Sequence, residues 1–242
     1  MTDGQYHKFA NLGKKVLSLH VNSIRIYTNN DICICSDKVG EKMGKIDVNK
    51  KKKLESLMNT SFELFTTKGI NKTSISDIVE KAGVAKGTFY LYFKDKYDIR
   101  NRIISHKASQ LFAAAYSELQ KTDIVIFEDR LIYIVNYILD ELTANKSLLQ
   151  FMYKDLSWGI FKKALLTQVS NDDVDFAQIY QKMIDESTIT FKDPEIMLFL
   201  IIELVGSTGY SSIIYNDPIS VRELKPHLET TIRNIVKQFT VE

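Results

Sequence analysis

Between Ser74 and Lys96 the sequence gathers hydroxyls, cations and a glycine within a short reach: Ser74, Ser76, Lys86, Gly87, Thr88, Tyr90, Leu91, Tyr92 and Lys96. No nucleophile here stands beside a base, so the set is not equipped to break bonds. It suits holding a polyanion. Lysines neutralise phosphates, hydroxyls make directional hydrogen bonds, and a glycine lets a backbone come close to a surface. Elsewhere there is no phosphate-binding Gly-rich loop, no dinucleotide glycine pattern and no Gly-x-Ser-x-Gly elbow. His7, His20, His106 and His227 are scattered, and Cys33 and Cys35 have no further cysteine or nearby histidine to complete a zinc site. Neither an enzyme nor a cofactor is expected.

Charge is unevenly distributed along the 242 residues, whose net charge is only +2. Residues 43–102 carry +6 and residues 103–242 carry −6. A basic module joined to an acidic one implies that only the first meets a polyanion. The hydrophobic content of 45% and charged content of 26% are those of a globular chain.

The elements that must position these groups read as helices. Leu54, Leu57, Met58, Phe62 and Phe65 recur at three- and four-residue intervals, which predicts a first helix over about 49–68, stopped by Gly69. The lysine run 50–53 then falls at its start, in a place to meet phosphates. Ser74 followed by Asp77 is an aspartate version of a capping box, so a second helix spans 74–82 and ends at Gly83. After Val84-Ala85 comes a short run to Phe93, in which Phe89 and Phe93 read as core. A fourth helix starts at Asp95 and extends to about 121. Further helices are expected near 128–143, 147–167, 173–190, 194–215 and 219–240, and nothing alternates long enough to form a sheet.

Two short helices joined by a tight glycine turn make a helix-turn-helix. The stretch "TSISDIVEKAGVAKGTFYLYFKDKYDI", Thr73 to Ile99, resembles the TetR family of bacterial transcriptional regulators. The likeness rests on the Ala82-Gly83-Val84 turn, the Lys86-Gly87-Thr88 opening, the Tyr90-x-Tyr92-Phe93 run and Lys96. The resemblance implies an all-α fold. A three-helix DNA-binding domain over 45–100 would precede a larger helical effector-binding and dimerisation domain over 101–242. It implies that Thr88, Tyr90 and Tyr92 hold phosphates or reach bases, and that Lys86, Gly87 and Leu91 share that surface. Ser74 and Ser76 would face DNA from the preceding helix, and Lys96 would contact a phosphate. One departure is Ala85, where many members carry a serine or threonine cap.

The resemblance further implies a ligand-released repressor on double-stranded operator DNA. It would work as a homodimer paired through about 194–240, with Gly206, Ser207 and Gly209 allowing close approach. The alternative is a ligand-independent DNA-bound factor of the same fold. Phe112, Tyr116, Tyr133, Tyr137, Phe151, Met152, Tyr153 and Trp158 are candidate lining for an effector, itself unidentified and apolar or aromatic by the character of that lining. The run 196–202 is apolar throughout, yet Glu203 follows it. A charge in mid-membrane costs about 2.5–3.5 kcal/mol, so the segment reads as a buried or interface helix, with no membrane partner and a cytoplasmic location. Residues 1–44 lack helical patterning. We expect residues 1–42 to be dispensable, with Met43 as the working start.

Overall fold

The computed structural model describes residues 45–153 and 176–241. The chain divides into two units, Met1–Lys42 and Met43–Glu242, and the described residues belong to the second. The expectation about residues 1–42, and Trp158, fall outside them.

The described residues form nine α-helices: α1 (Lys45–Thr67), α2 (Ile75–Ala82), α3 (Lys86–Tyr92), α4 (Lys96–Leu119), α5 (Phe127–Ala144), α6 (Lys146–Tyr153), α7 (Phe176–Asp185), α8 (Pro194–Ile214) and α9 (Val221–Phe239). An isolated β-bridge joins Phe191 to Thr240. Helix α1 begins at Lys45, so the lysine run lies inside it rather than at its start. The sequence pattern placed that boundary late because residues 45–53 carry too few apolar side chains to show a period.

Two cores organise the unit. The smaller is built from α1–α3 and the first turns of α4. Leu57, Ile78, Phe89 and Ile99 are fully enclosed, with Phe93 and Ile103 nearly so. Each such burial is worth about 1.5–3 kcal/mol relative to exposure. The larger core lies among α4–α9 and includes Phe112, Leu119, Leu139, Met197, Ile232 and Val236. Helix α4 serves both: Ile99 and Ile103 point into the first, Ala115 and Leu119 into the second.

Helix α6 also touches both cores. Leu149 is buried in the larger one, whereas Phe151 packs against the smaller. The ring of Phe151 stands edge-on to Phe62 at 5.1 Å and stacks on Phe65 at 6.3 Å.

Helices α8 and α9 pack on one another, and α5 packs against both. By length and composition α8 is long and apolar enough to cross a membrane. In the fold its Met197, Leu198, Ile201 and Ile213 are buried against protein. Its glycines differ. A Cβ on Gly209 would stand 2.8 Å from Leu139 Cδ2, so any larger residue there makes the Leu139 side chain on α5 shift. A Cβ on Gly206 would meet nothing within 4 Å. Polar ties close the bundle's flanks, notably buried Arg130, whose Nη1 lies 2.8 Å from Glu186 Oε2.

Candidate nucleic-acid interface

The surface is assembled from two short helices and the turn between them. Ser74 is the N-cap of α2: its Oγ accepts the Asp77 amide at 3.1 Å, and Asp77 Oδ2 accepts the Ser74 amide at 2.9 Å. This satisfies donors that the first helical turn leaves open. Hydrogen bonding to the Ser74 amide first, and to its hydroxyl second, holds the Asp77 carboxyl below the usual aspartate range. Ser76 follows, exposed on the first turn.

Gly83 ends α2 with φ 66° and ψ 33°. That left-handed conformation suits glycine. The Gly83 amide donates to Glu80 O, and the Val84 amide to Val79 O at 3.0 Å. The chain thereby reverses within three residues and starts α3 at Lys86.

Ala85 is the N-cap of α3 and supplies no side-chain bond, as the sequence implied. A missing cap costs about 1 kcal/mol. Phe89 and Phe93, 0% and 1% exposed, anchor α3 by an amount several times larger. Core packing therefore places α3 without help from its cap.

Anchoring Phe89 decides which side chains face outward. Tyr90 is 53% exposed and Leu91 80%. Lys86 and Gly87 are exposed as well, and Thr88 is half-buried. An alanine Cβ at Gly87 would meet nothing within 4 Å, so the fold itself does not call for glycine there.

Two predicted contacts turn inward instead. The Tyr92 hydroxyl donates to Lys50 O of α1 at 3.4 Å, and its ring packs against the small core. The Lys96 ammonium donates to the carbonyls of Ile70, Asn71 and Thr73 at 2.8, 3.4 and 3.1 Å. Periodicity could not reveal either, because both partners lie more than twenty residues upstream in sequence. The structure also exposes Lys94 and Tyr97 at the α3–α4 junction. Tyr97 was missed by sequence reasoning. The available signal was that it lies off the apolar face running through Ile99 and Ile103.

The start of α4 is set by Asp95, whose Oδ1 accepts the amides of Tyr97 and Asp98, each at 2.8 Å. Asp98 in turn accepts the Lys94 amide at 2.9 Å. The junction following α3 is thus held by reciprocal carboxylate bonds.

The effector candidates scatter. Phe112 and Met152 are buried in the described fold. Tyr133 and Tyr137 are half-buried beside the larger core, and burial, with Glu141 and Glu118 nearby, raises the Tyr137 hydroxyl pKa. Tyr116 is half-buried too, and its hydroxyl oxygen is enclosed with no hydrogen-bond partner among the described residues. Phe151 packs against the small core, away from the other candidates on the larger one. Tyr153 is exposed and stacks on Tyr210. Among the described residues no group of three or more His, Cys, Asp or Glu side chains can hold a metal ion.

Residues 57–103 match the family described as bacterial regulatory proteins, tetR family. Over 63 residues the chain is 43% identical to the uncharacterized HTH-type transcriptional regulator YvdT of Bacillus subtilis (strain 168). That match covers 24% of this chain and 32% of the relative, so it spans about a third of the relative's length. A TetR transcriptional regulator from Rhodococcus sp. RHA1 is similar in fold, with a TM-score of 0.54 at 16% identity over 78% of this chain and 97% of that one. The transcriptional regulator FadR from Bacillus subtilis, solved in complex with stearoyl-CoA, gives a TM-score of 0.53 at 16% identity over 74% and 96% of the two chains. At such identities the structural likeness speaks for the fold, while the matched residues 57–103 cover the two short helices and the glycine turn just described. The helix-turn-helix domain of this chain thus matches the TetR family of bacterial regulatory proteins.

Proposed function

We propose that the chain is a DNA-binding transcriptional regulator, acting as a homodimeric, ligand-released repressor in the bacterial cytoplasm. One observation carries the reading. Tyr90 and Leu91 are 53% and 80% exposed on a helix whose neighbouring Phe89 is wholly buried. A helix held so firmly and presenting an aromatic, an aliphatic and flanking lysines outward is fitted to a DNA groove. There Lys86 and Lys94 meet phosphates, Tyr90 and Thr88 hydrogen-bond, and Leu91 reaches a thymine methyl. Residues 45–100 form the DNA-binding part and residues 101–242 the regulatory part.

Two copies are required to place recognition helices about 34–36 Å apart, or a multiple of that distance. Ile196 and Leu200 of α8, 50% and 38% exposed, supply an apolar stripe for pairing, and Gly206 further along the helix leaves room for a second copy to approach. The effector is a small apolar or aromatic molecule; the Bacillus subtilis neighbour was solved with stearoyl-CoA, whose acyl part is apolar and whose CoA part is charged.

Mapping the protein on its native genome, followed by binding to the enriched fragments, tests the proposal. Discrete sites with two-fold related half-sites are expected. Equal affinity for enriched and random fragments would refute it. Broad coverage without a releasing ligand would favour a ligand-independent factor of the same fold.

A further inference from the structure

Lys96 occupies the first position of α4, a 24-residue helix. A cation is badly placed there, since the helix dipole puts positive potential at its N-terminus. The geometry shows what offsets it. Three carbonyls, of Ile70, Asn71 and Thr73, converge on the ammonium at 2.8, 3.4 and 3.1 Å. An ammonium has three donors and no acceptor, so all three are engaged. Three carbonyl oxygens facing one point repel one another unless a cation stands between them.

The loop so held is the one that aims α2. It leaves α1 through Gly69, whose φ is +80°, and reaches the N-cap Ser74. Thr73 is 1% exposed and its Oγ1 donates to Gly69 O at 2.9 Å. The Thr73 amide donates to Ile70 O at 3.3 Å. Lys96 therefore ties the start of α4 to the residues immediately before Ser74 and Ser76.

We infer that Lys96 is a positioning residue: its ammonium clasps residues 70–73 and sets the N-terminus of α2, and it is not spent on a DNA phosphate. The consequence for DNA rests on the reading proposed above, whereas the clasp itself belongs to the free protein. Phosphate neutralisation falls instead to the exposed Lys86 and Lys94.

Lysine acylation of the full chain with a trace of an N-hydroxysuccinimide ester, read by peptide mass spectrometry, tests this without any substitution. In the free protein Lys96 reacts at least fivefold more slowly than Lys86 and Lys94. Bound operator slows Lys86 and Lys94 and leaves Lys96 unchanged. Rapid labelling of free Lys96, or its protection by operator, overturns the inference. A variant adds a second readout. Lys96→Met raises amide exchange over Asn71–Ser74 at least tenfold and weakens operator binding. Its log–log salt slope stays that of the parent, whereas a lost phosphate contact lowers it by about 1.8 for a dimer. If no DNA is bound at all, the proposed function falls, while labelling of the free protein still decides the clasp.

Discussion

The ring of Phe151, on α6, meets Phe62, on α1, edge-on with centroids 5.1 Å apart and planes at 88°. It joins a helix of the larger core to the heart of the DNA-binding domain, where it also stacks on Phe65. Phe151 is half-buried, so truncation loses less than the 3–5 kcal/mol of a fully enclosed phenylalanine. Phe151→Ala should cost about 2 kcal/mol. Thermal unfolding followed by calorimetry should then broaden or split, because the two cores share fewer contacts. An unchanged single transition would show that Phe151 does not couple them.

Leu91 separates stability from recognition. At 80% exposure it contributes little to the fold, and Leu91→Ala should change stability by less than about 0.5 kcal/mol. Its operator affinity should fall about fivefold, or about 1 kcal/mol, if the side chain meets a thymine methyl. Replacing operator thymines with uracil should weaken the parent protein to a similar extent and leave the variant nearly indifferent. Equal losses in both proteins would exclude that contact.

Tyr90 and Tyr92 should behave differently despite their spacing. The first is exposed, and the second donates its hydroxyl to Lys50 O. Tyr90→Phe should lower operator affinity without moving the melting temperature. Tyr92→Phe should lower stability by at most about 1 kcal/mol and leave the salt slope of binding intact. Paired melting and anisotropy titrations check both.

The glycines of α8 make a matched pair. At Gly206 an added Cβ meets nothing within 4 Å among the described residues, and leucine there replaces a poor helix former. It should leave helicity intact yet give monomers in sedimentation. Gly209→Ala drives a methyl to 2.8 Å from Leu139 Cδ2, and overpacking of this kind costs about 1–3 kcal/mol. It should lower stability at any protein concentration. Dimeric Gly206→Leu would remove that face of α8 from the interface.

Acid should loosen α2. Its cap holds the Asp77 carboxyl below its ordinary value, with the Ser74 amide as the larger cause and the Ser74 hydroxyl second. A depressed folded-state pKa means the stabilisation is present above the unfolded value and is lost as pH falls through the folded one. Amide exchange at Ser74, whose N–H the carboxylate accepts, corrected for its intrinsic pH dependence, should therefore lose protection only on the acid side of the usual aspartate range. Asp77→Asn should flatten that profile. A profile identical in both proteins would dissociate the carboxylate from the cap.

The local grammar of the DNA-binding domain was readable from the sequence alone. Ser74 with Asp77, Gly83, and the spacing of Phe89 and Phe93 each act over a few residues, so cap, turn and buried face follow from neighbours in the chain. The helical class followed from the same short-range rules, whereas the contact positions on α3 came from the family resemblance, and Tyr92 among them turns inward. The tertiary structure decided what distant segments do to one another. Tyr92 is drawn to Lys50, Lys96 to the loop at residues 70–73, and Phe151 to Phe62 and Phe65. Each depends on how helices remote in sequence pack, which no periodicity encodes. The same reason separates Gly206 from Gly209: the position of Leu139 on α5 crowds one glycine and leaves the other open.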